Sequence, residues 1–152
     1  MRIAITGTPG TGKTVVGKLL VHLLGWEYRD LSSLAKEKNL YEGYDKERNV
    51  PIVNITAIRK ALPKGDCVIE SHFAHEIPND LTVVLRCDSA VLKQRLERRK
   101  WIQKKIEENV QAEIFGICLE ESRGLKRNIL EVDTAKKTPK AVCREILRKI
   151  RL

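Results

Sequence analysis

The residues Gly7-Thr8-Pro9-Gly10-Thr11-Gly12-Lys13-Thr14 match the spacing G-x-x-x-x-G-K-[ST] without a gap. Gly10 and Gly12 let the main chain curl tightly enough to aim successive N–H groups at phosphate oxygens. A helix that starts at Lys13 adds the positive end of its dipole at the same point. The Lys13 ammonium can reach the β- and γ-phosphates of a nucleotide, and the Thr14 hydroxyl can ligate Mg²⁺. The bland alternative is a glycine-rich turn that binds nothing. It does not explain why the match lies between a β-branched strand and an amphipathic helix.

A phosphate loop of this kind works with a carboxylate at the end of a neighbouring strand, on the metal side. Val68-Ile69-Glu70 offers Glu70 for that place, and an apolar run before it favours metal-side work over a merely solvated carboxylate. Ser71 and His72 follow. His72 reads either as a site-lining group or as a structural donor, and His75 could serve in its stead. Further on, Arg95, Arg98, Arg99, Lys100, Lys104 and Lys105 bracket a predicted break between two helices. Such a run is commonly a solvated helix face. Placed on a hinge, its guanidiniums would close over a migrating phosphoryl group and exclude water. A rim that touches RNA phosphates is compatible with that lid. Trp101 could cover an adenine or stack on a base. The chain contains no [NT]-K-x-D guanine-reading motif, so a GTPase is excluded, and its length excludes a helicase or large transport ATPase.

These groups need elements to hold them. Arg2–Thr6 reads as a strand, and Lys13 opens a helix with Val15, Val16, Leu19, Leu20, Leu23 and Leu24 on one face, stopping at Gly25. A helix is expected near Leu31–Lys38, then a polar, tyrosine-bearing loop over Leu40–Val50. A short helix capped by Asn54 carries Ile55, Ile58 and Leu62 and ends at Pro63. Cys67–Glu70 and Thr82–Leu85 have the composition of buried strands. One helix starts near Ser89. A longer one runs from about Ile102 to Gly124, with Ile106, Val110, Ile114 and Ile117 inward. A strand over Ile129–Val132 and a helix over Pro139–Arg148, with Val142, Ile146 and Leu147 inward, complete the chain. Strands that alternate with helices predict an α/β fold, a parallel sheet covered on both faces with ligands at the carboxyl ends of its strands.

The 152 residues suit one domain with one core. The net charge of +9 is uneven: residues 1–85 hold 11 basic and 10 acidic side chains, residues 86–152 hold 18 and 10. That excess calls for a phosphorylated or polyanionic partner. Cys67, Cys87, Cys118 and Cys143 form no C-x-x-C pair, which argues against a structural zinc or redox dithiol, and three of them sit among aliphatic neighbours as small buried hydrophobes of a reducing compartment. No apolar run approaches the roughly 20 residues that span a bilayer, and no secretory leader precedes Arg2, so a cytoplasmic protein without membrane contact is expected.

Three blocks resemble one family, that of adenylate kinase isoenzyme 6 (the coilin-interacting nuclear ATPase) and its short archaeal relatives. They are GTPGTGKT at 7–14, LYEGYDKERNVPI at 40–52 and RLERRKWIQKKIEENVQAEIF at 95–115. The tyrosine-rich middle block is the most diagnostic. The resemblance implies a P-loop kinase with its core at 1–29, 54–97 and 109–152, a monophosphate-binding insert at 30–53 and a short lid at 98–108. It implies Mg²⁺-dependent transfer of the γ-phosphate of ATP to AMP or another monophosphate, beside slow ATP hydrolysis. By position, Gly10, Gly12, Lys13, Thr14 and Val15 would hold the ATP phosphates, Arg99 would be the lid arginine, and Lys136 would border the adenine. Lys36, Tyr41 and Tyr44 are expected at the acceptor monophosphate, and Glu70 beside Thr14 at the metal. Lys13, Arg99 and His72 are the expected catalytic groups; His72 matches the family's histidine.

The sequence departs from that pattern at Glu70, where the family usually has Asp, and at Arg99-Lys100-Trp101, where the lid usually reads R-G-Y. Lys36 stands where relatives carry an arginine, and a lysine holds a phosphate less directionally. Members of the family are also tied to late maturation of the small ribosomal subunit through one of its proteins. An alternative reading follows: an assembly ATPase whose nucleotide state gates contact with a ribosomal protein, rRNA or a pre-30S particle.

Overall fold

In the computed structural model, which describes residues 1–151, β1 (Arg2–Thr6) occupies the centre of a five-stranded sheet. Its neighbours are β5 (Cys67–Glu70) and β6 (Leu81–Arg86); β2 (Glu27–Asp30) and β7 (Ile129–Asp133) form the edges, in the order β2-β5-β1-β6-β7. Every pairing in this sheet is parallel. The three inner strands are almost wholly apolar because both of their faces are covered. Alternation decides which cover each residue meets. Ile3 and Ile5 pack with Val16 and Leu20 of α1 (Lys13–Leu24) and with Val142, Cys143 and Ile146 of α7 (Pro139–Ile150). Ala4 points the other way, into a cluster with Leu31 and Leu34 of α2 (Leu31–Lys38) and Ile58 of α3 (Ile55–Lys60). A third cluster joins Leu92 and Leu96 of α4 (Ser89–Arg98) to Ile106 of α5 (Gln103–Phe115), with Trp101 against it.

The structure corrects the sequence reading at three places. The polar stretch after α2 is a two-stranded antiparallel hairpin, β3 (Tyr41–Asp45) and β4 (Val50–Val53), separate from the main sheet. Its residues are mostly exposed, so no hydrophobic alternation announces it. Strand β2 is the polar sequence Glu-Tyr-Arg-Asp at a sheet edge, where partners on one side suffice. Helix Ile102–Gly124 is two helices, α5 and α6 (Ile117–Gly124). Gly116 breaks it by adopting φ 63°, and its N–H bonds back to the Glu113 carbonyl at 3.0 Å. A Cβ there would come within 3.3 Å of the Arg86 guanidinium. With the helix broken, Ile114 and Ile117 end up exposed rather than inward. The last helix extends to Ile150, and Leu62 lies beyond the end of α3 while remaining buried. Among the described residues no helix is long and apolar enough to cross a membrane.

Candidate active site

The motif Gly7–Thr14 bridges the carboxyl end of β1 and the amino end of α1, so its position is dictated by the innermost strand of the sheet. Gly10 has φ 93°, and a Cβ on it would sit 2.9 Å from Leu92 and 3.0 Å from Leu96. No side chain caps α1 and no acidic residue occupies its first turn, which leaves the dipole end uncompensated. The loop is braced from inside and from outside. Thr8 O accepts from Thr11 Oγ1 at 2.8 Å and from Lys13 Nζ at 3.1 Å. Thr134 Oγ1 donates to Thr11 O at 2.7 Å, and Arg95 reaches both Gly10 O, at 3.2 Å, and Thr134 O, at 3.0 Å. Arg95 thus reads as a clamp between the loop and the turn before α7. Its place in a run of basic residues concealed that role.

Across from the loop, Glu70 ends β5 with only 4% of its surface exposed. It is not a solvated strand-end carboxylate. Its Oε1 accepts from Thr14 Oγ1 at 2.7 Å and from Tyr28 Oη at 2.8 Å. Burial, and then the bond to Glu70, push the Tyr28 hydroxyl well above its usual pKa, so it stays a donor. Tyr28 comes from the polar edge strand that the sequence pattern does not announce. A hydroxyl and a carboxylate in contact are hard oxygen donors of the kind that suit Mg²⁺, with phosphates and water completing its shell. Among the described residues no cluster of three or more His, Cys, Asp or Glu could cage a metal by itself. The donor set therefore fits an ion that arrives with its nucleotide, where it would neutralise charge on the β- and γ-oxygens.

Burial pulls the Lys13 pKa below its ordinary value, opposed by Glu70 and reinforced by the like charge of Arg99. That places Lys13, Glu70 and Arg99 within one electrostatic neighbourhood. His72 is exposed. The walls that desolvate its imidazolium lower its pKa, followed by repulsion from Lys13 and His75, so the ring is neutral at neutral pH. His75, by contrast, is buried. Its Nδ1 lies 2.6 Å from Thr6 Oγ1 and its Nε2 lies 3.2 Å from Glu121 Oε1, which ties β1 to α6. Burial separates the two histidines: His72 is exposed and His75 is a core pin. Cys67, Cys87 and Cys143 are buried as expected. Cys118 is only partly buried and stands beside Lys13, its thiol pushed up to about 11 chiefly by desolvation.

Beside the loop opens a cavity of about 360 Å³ whose walls include Gly12, Val15, Arg98, Arg99, Lys137 and Pro139. Val15 is 58% exposed because it faces this cavity instead of the core. Arg99 caps the end of α4 and borders the cavity together with Arg98. Lys136 does not line it; the neighbouring Lys137 does, paired with Glu145 of α7. Lys36 is exposed on the last turn of α2. Tyr41 packs against the cluster beneath α2 and α3, while Tyr44 is exposed on the hairpin and bonds Asn49. All three fall within residues 30–53, Lys36 on α2 and the two tyrosines on β3.

Comparison with known proteins agrees with this geometry. A family model described as an AAA domain matches residues 3–116. A shikimate kinase from Acinetobacter baumannii superposes with a TM-score of 0.70 at 19% identity, covering 98% of this chain and 92% of that one. A deoxyadenosine kinase from M. mycoides superposes with a TM-score of 0.65 at 14% identity over 100% of both chains. At such identities the likeness is one of fold. Sequence relatives are nearer. The Pyrococcus abyssi protein named "Putative adenylate kinase" is 41% identical over 148 residues, which is 97% of this chain and 82% of that protein. A protein of the same name from Methanocaldococcus jannaschii is 35% identical over 156 residues, covering 99% of this chain and 86% of its own length. With a phosphate loop, a Thr14–Glu70 hydrogen bond beside it and relatives of 35–41% identity aligned over 97–99% of its length, the chain belongs to the archaeal-type adenylate kinase family.

Proposed function

We propose that the protein transfers the γ-phosphate of ATP to AMP or another nucleoside monophosphate. The observation that carries this reading is the convergence of Lys13, Arg99 and the Thr14–Glu70 pair on one loop. The acceptor phosphate is already anionic, so the reaction needs alignment and charge neutralisation and no general base. Lys13 and the loop N–H groups hold the ATP phosphates, with Gly10, Gly12, Thr14 and Val15 completing their wall. Arg99 faces the charge that builds on the migrating group. The adenine lies towards Lys137 and Pro139, at the turn where the family resemblance points to Lys136. Residues 30–53 form the acceptor side, with Lys36, Tyr41 and Tyr44 nearest the monophosphate, and residues 98–108 form the lid over the core.

His72 supports a second activity. A neutral imidazole beside Lys13 can orient water toward a γ-phosphate, which is ATP hydrolysis. The resemblance connects such hydrolysis to a ribosomal protein, rRNA or a pre-30S particle, and the basic second half suits that partner. A coupled assay with Mg²⁺, ATP and a panel of monophosphates separates the two. ADP formed in proportion to added AMP supports the kinase. Free phosphate that ignores AMP and rises with a small-subunit ribosomal protein overturns it in favour of the ATPase.

A further inference from the structure

Two carboxylates are buried among the described residues, Glu70 and Glu113. Glu70 meets the metal side of the loop. Glu113, only 3% exposed near the end of α5, has no part in the reading above. A buried carboxylate is unfavourable unless its oxygens collect donors. Glu113 collects three. Its Oε2 accepts from Arg86 Nε and from the Cys87 N–H, both at 2.9 Å, and its Oε1 accepts from the Thr8 hydroxyl at 2.8 Å. The Arg86 guanidinium bonds the Glu113 carbonyl as well, at 3.0 Å.

The bonds at Oε2 suffice to fasten α5 to the end of β6. The bond at Oε1 has a different destination, because Thr8 is the second residue of the phosphate loop. The carbonyl of that same residue receives Lys13 Nζ at 3.1 Å and Thr11 Oγ1 at 2.8 Å. A chain of contacts therefore runs from the Glu113 carboxylate through the Thr8 hydroxyl and carbonyl to the Lys13 ammonium. The same α5 begins at Gln103, three positions after the basic run Arg98-Arg99-Lys100 ends.

We propose that Glu113 is a positioning residue for the triphosphate: through Thr8 it holds the loop in its phosphate-binding curl and so sets where Lys13 waits. The proposal rests on the reading of the loop as the ATP site. A loop curled in advance binds without the entropy of ordering itself, so loss of the Glu113–Thr8 bond weakens ATP binding. The acceptor, bound on the far side, is untouched.

Calorimetric titration of magnesium-ATP into the wild type, Thr8→Val, Thr8→Ser, Glu113→Gln and the Thr8→Val/Glu113→Gln double variant tests this, with steady-state kinetics alongside. Thr8→Val, nearly the same shape without a hydroxyl, should lose about tenfold in ATP affinity, the scale of one bond to a charged group. Thr8→Ser should recover most of that loss. Glu113→Gln keeps an oxygen for Arg86 and Cys87, so adding Thr8→Val to it should cost clearly less than tenfold. The KM for ATP should rise while the KM for AMP stays constant, a split that general loosening of the fold does not produce. Wild-type affinity in Thr8→Val, equal weakness in Thr8→Ser, or additive losses would each overturn the role of Glu113. A wild type that takes up no ATP would overturn the reading of the loop, a different failure. Should Thr8→Val not fold, Glu113→Gln decides: lowered ATP affinity with unchanged KM for AMP supports the proposal, and unchanged affinity refutes it.

Discussion

The Thr14 hydroxyl donates to Glu70 Oε1 at 2.7 Å, joining the first turn of α1 to the carboxyl end of β5 across 56 residues of chain. Tyr28 donates to the same oxygen from the edge strand β2. One carboxylate oxygen thus holds two hydroxyls, and the carboxylate is oriented before any nucleotide arrives. Outer partners of this kind commonly change metal affinity by about 10- to 100-fold. Tyr28→Phe should raise the free Mg²⁺ needed for half-maximal rate by about tenfold, and Glu70→Gln should raise it further. A Mg²⁺ titration at saturating ATP measures both; an unchanged half-point in Glu70→Gln would remove Glu70 from the metal side.

Lys13 is a half-buried cation whose pKa is pulled down by desolvation. The unfolded chain therefore binds the proton more tightly than the folded one. Stability contributed at this site rises with pH between the lowered value and the ordinary lysine value near 10.5. Lys13→Met removes the strained charge while keeping the stem. Without nucleotide the variant should melt a few degrees higher than the wild type, in the range of roughly 0.5–2 kcal/mol for such relieved sites. It should also lose turnover and lose the thermal shift on adding ATP. Differential scanning calorimetry with and without ATP reads all three effects, and an ATP-induced shift surviving in Lys13→Met contradicts the assignment.

His72 titrates below its usual value because of desolvation first, then Lys13 and His75. A folded-state pKa below the unfolded value means that stability falls as pH drops through the ordinary histidine range toward the lowered one. NMR titration of the imidazole should place its midpoint below 6.5. In Lys13→Met the midpoint should move back up, since a repelling cation has gone. A midpoint indifferent to Lys13 would show that the two groups do not share a cleft.

Arg99 borders the cavity and caps α4, where little but its charge is committed. Arg99→Ala should lower kcat by about 10²–10³, the usual scale for one donor aimed at developing charge, with ATP binding largely kept. Pre-steady-state quench-flow separates chemistry from release. A loss confined to KM would mean that Arg99 contacts the ground state only.

Gly116 separates α5 from α6 at φ 63° with the Arg86 guanidinium 3.3 Å from where a Cβ would stand. Gly116→Ala should destabilise the fold by roughly 1–2 kcal/mol, from the left-handed backbone alone. Urea unfolding gives the number. Arg86 is also the partner of Glu113, so this variant should cost ATP affinity too.

The phosphate loop, the inner strands and the alternation of strand and helix are all legible in the residues themselves. Each depends on local rules: a spacing that cradles phosphate, a run of β-branched residues, an apolar face at helical period. Edge strand β2 and hairpin β3–β4 were not legible, because both lie at the periphery: β2 is polar, and the mostly exposed hairpin pairs a polar β3 with a four-residue β4 interrupted by Pro51. The assignment of the two histidines was equally out of reach. Three residues apart, they diverge because the short turn over Ala74–Glu76 buries His75 against Thr6 and leaves His72 exposed. Glu113 and Arg95 read as ordinary helix charges. Only the tertiary structure, which brings residues about a hundred positions apart within hydrogen-bond distance of Thr8 and Gly10, turns them into braces for the loop. Sequence determined what the loop can hold, since that chemistry lies in eight consecutive residues. Folding decided what holds the loop, because those contacts exist only once the sheet has set its neighbours beside it.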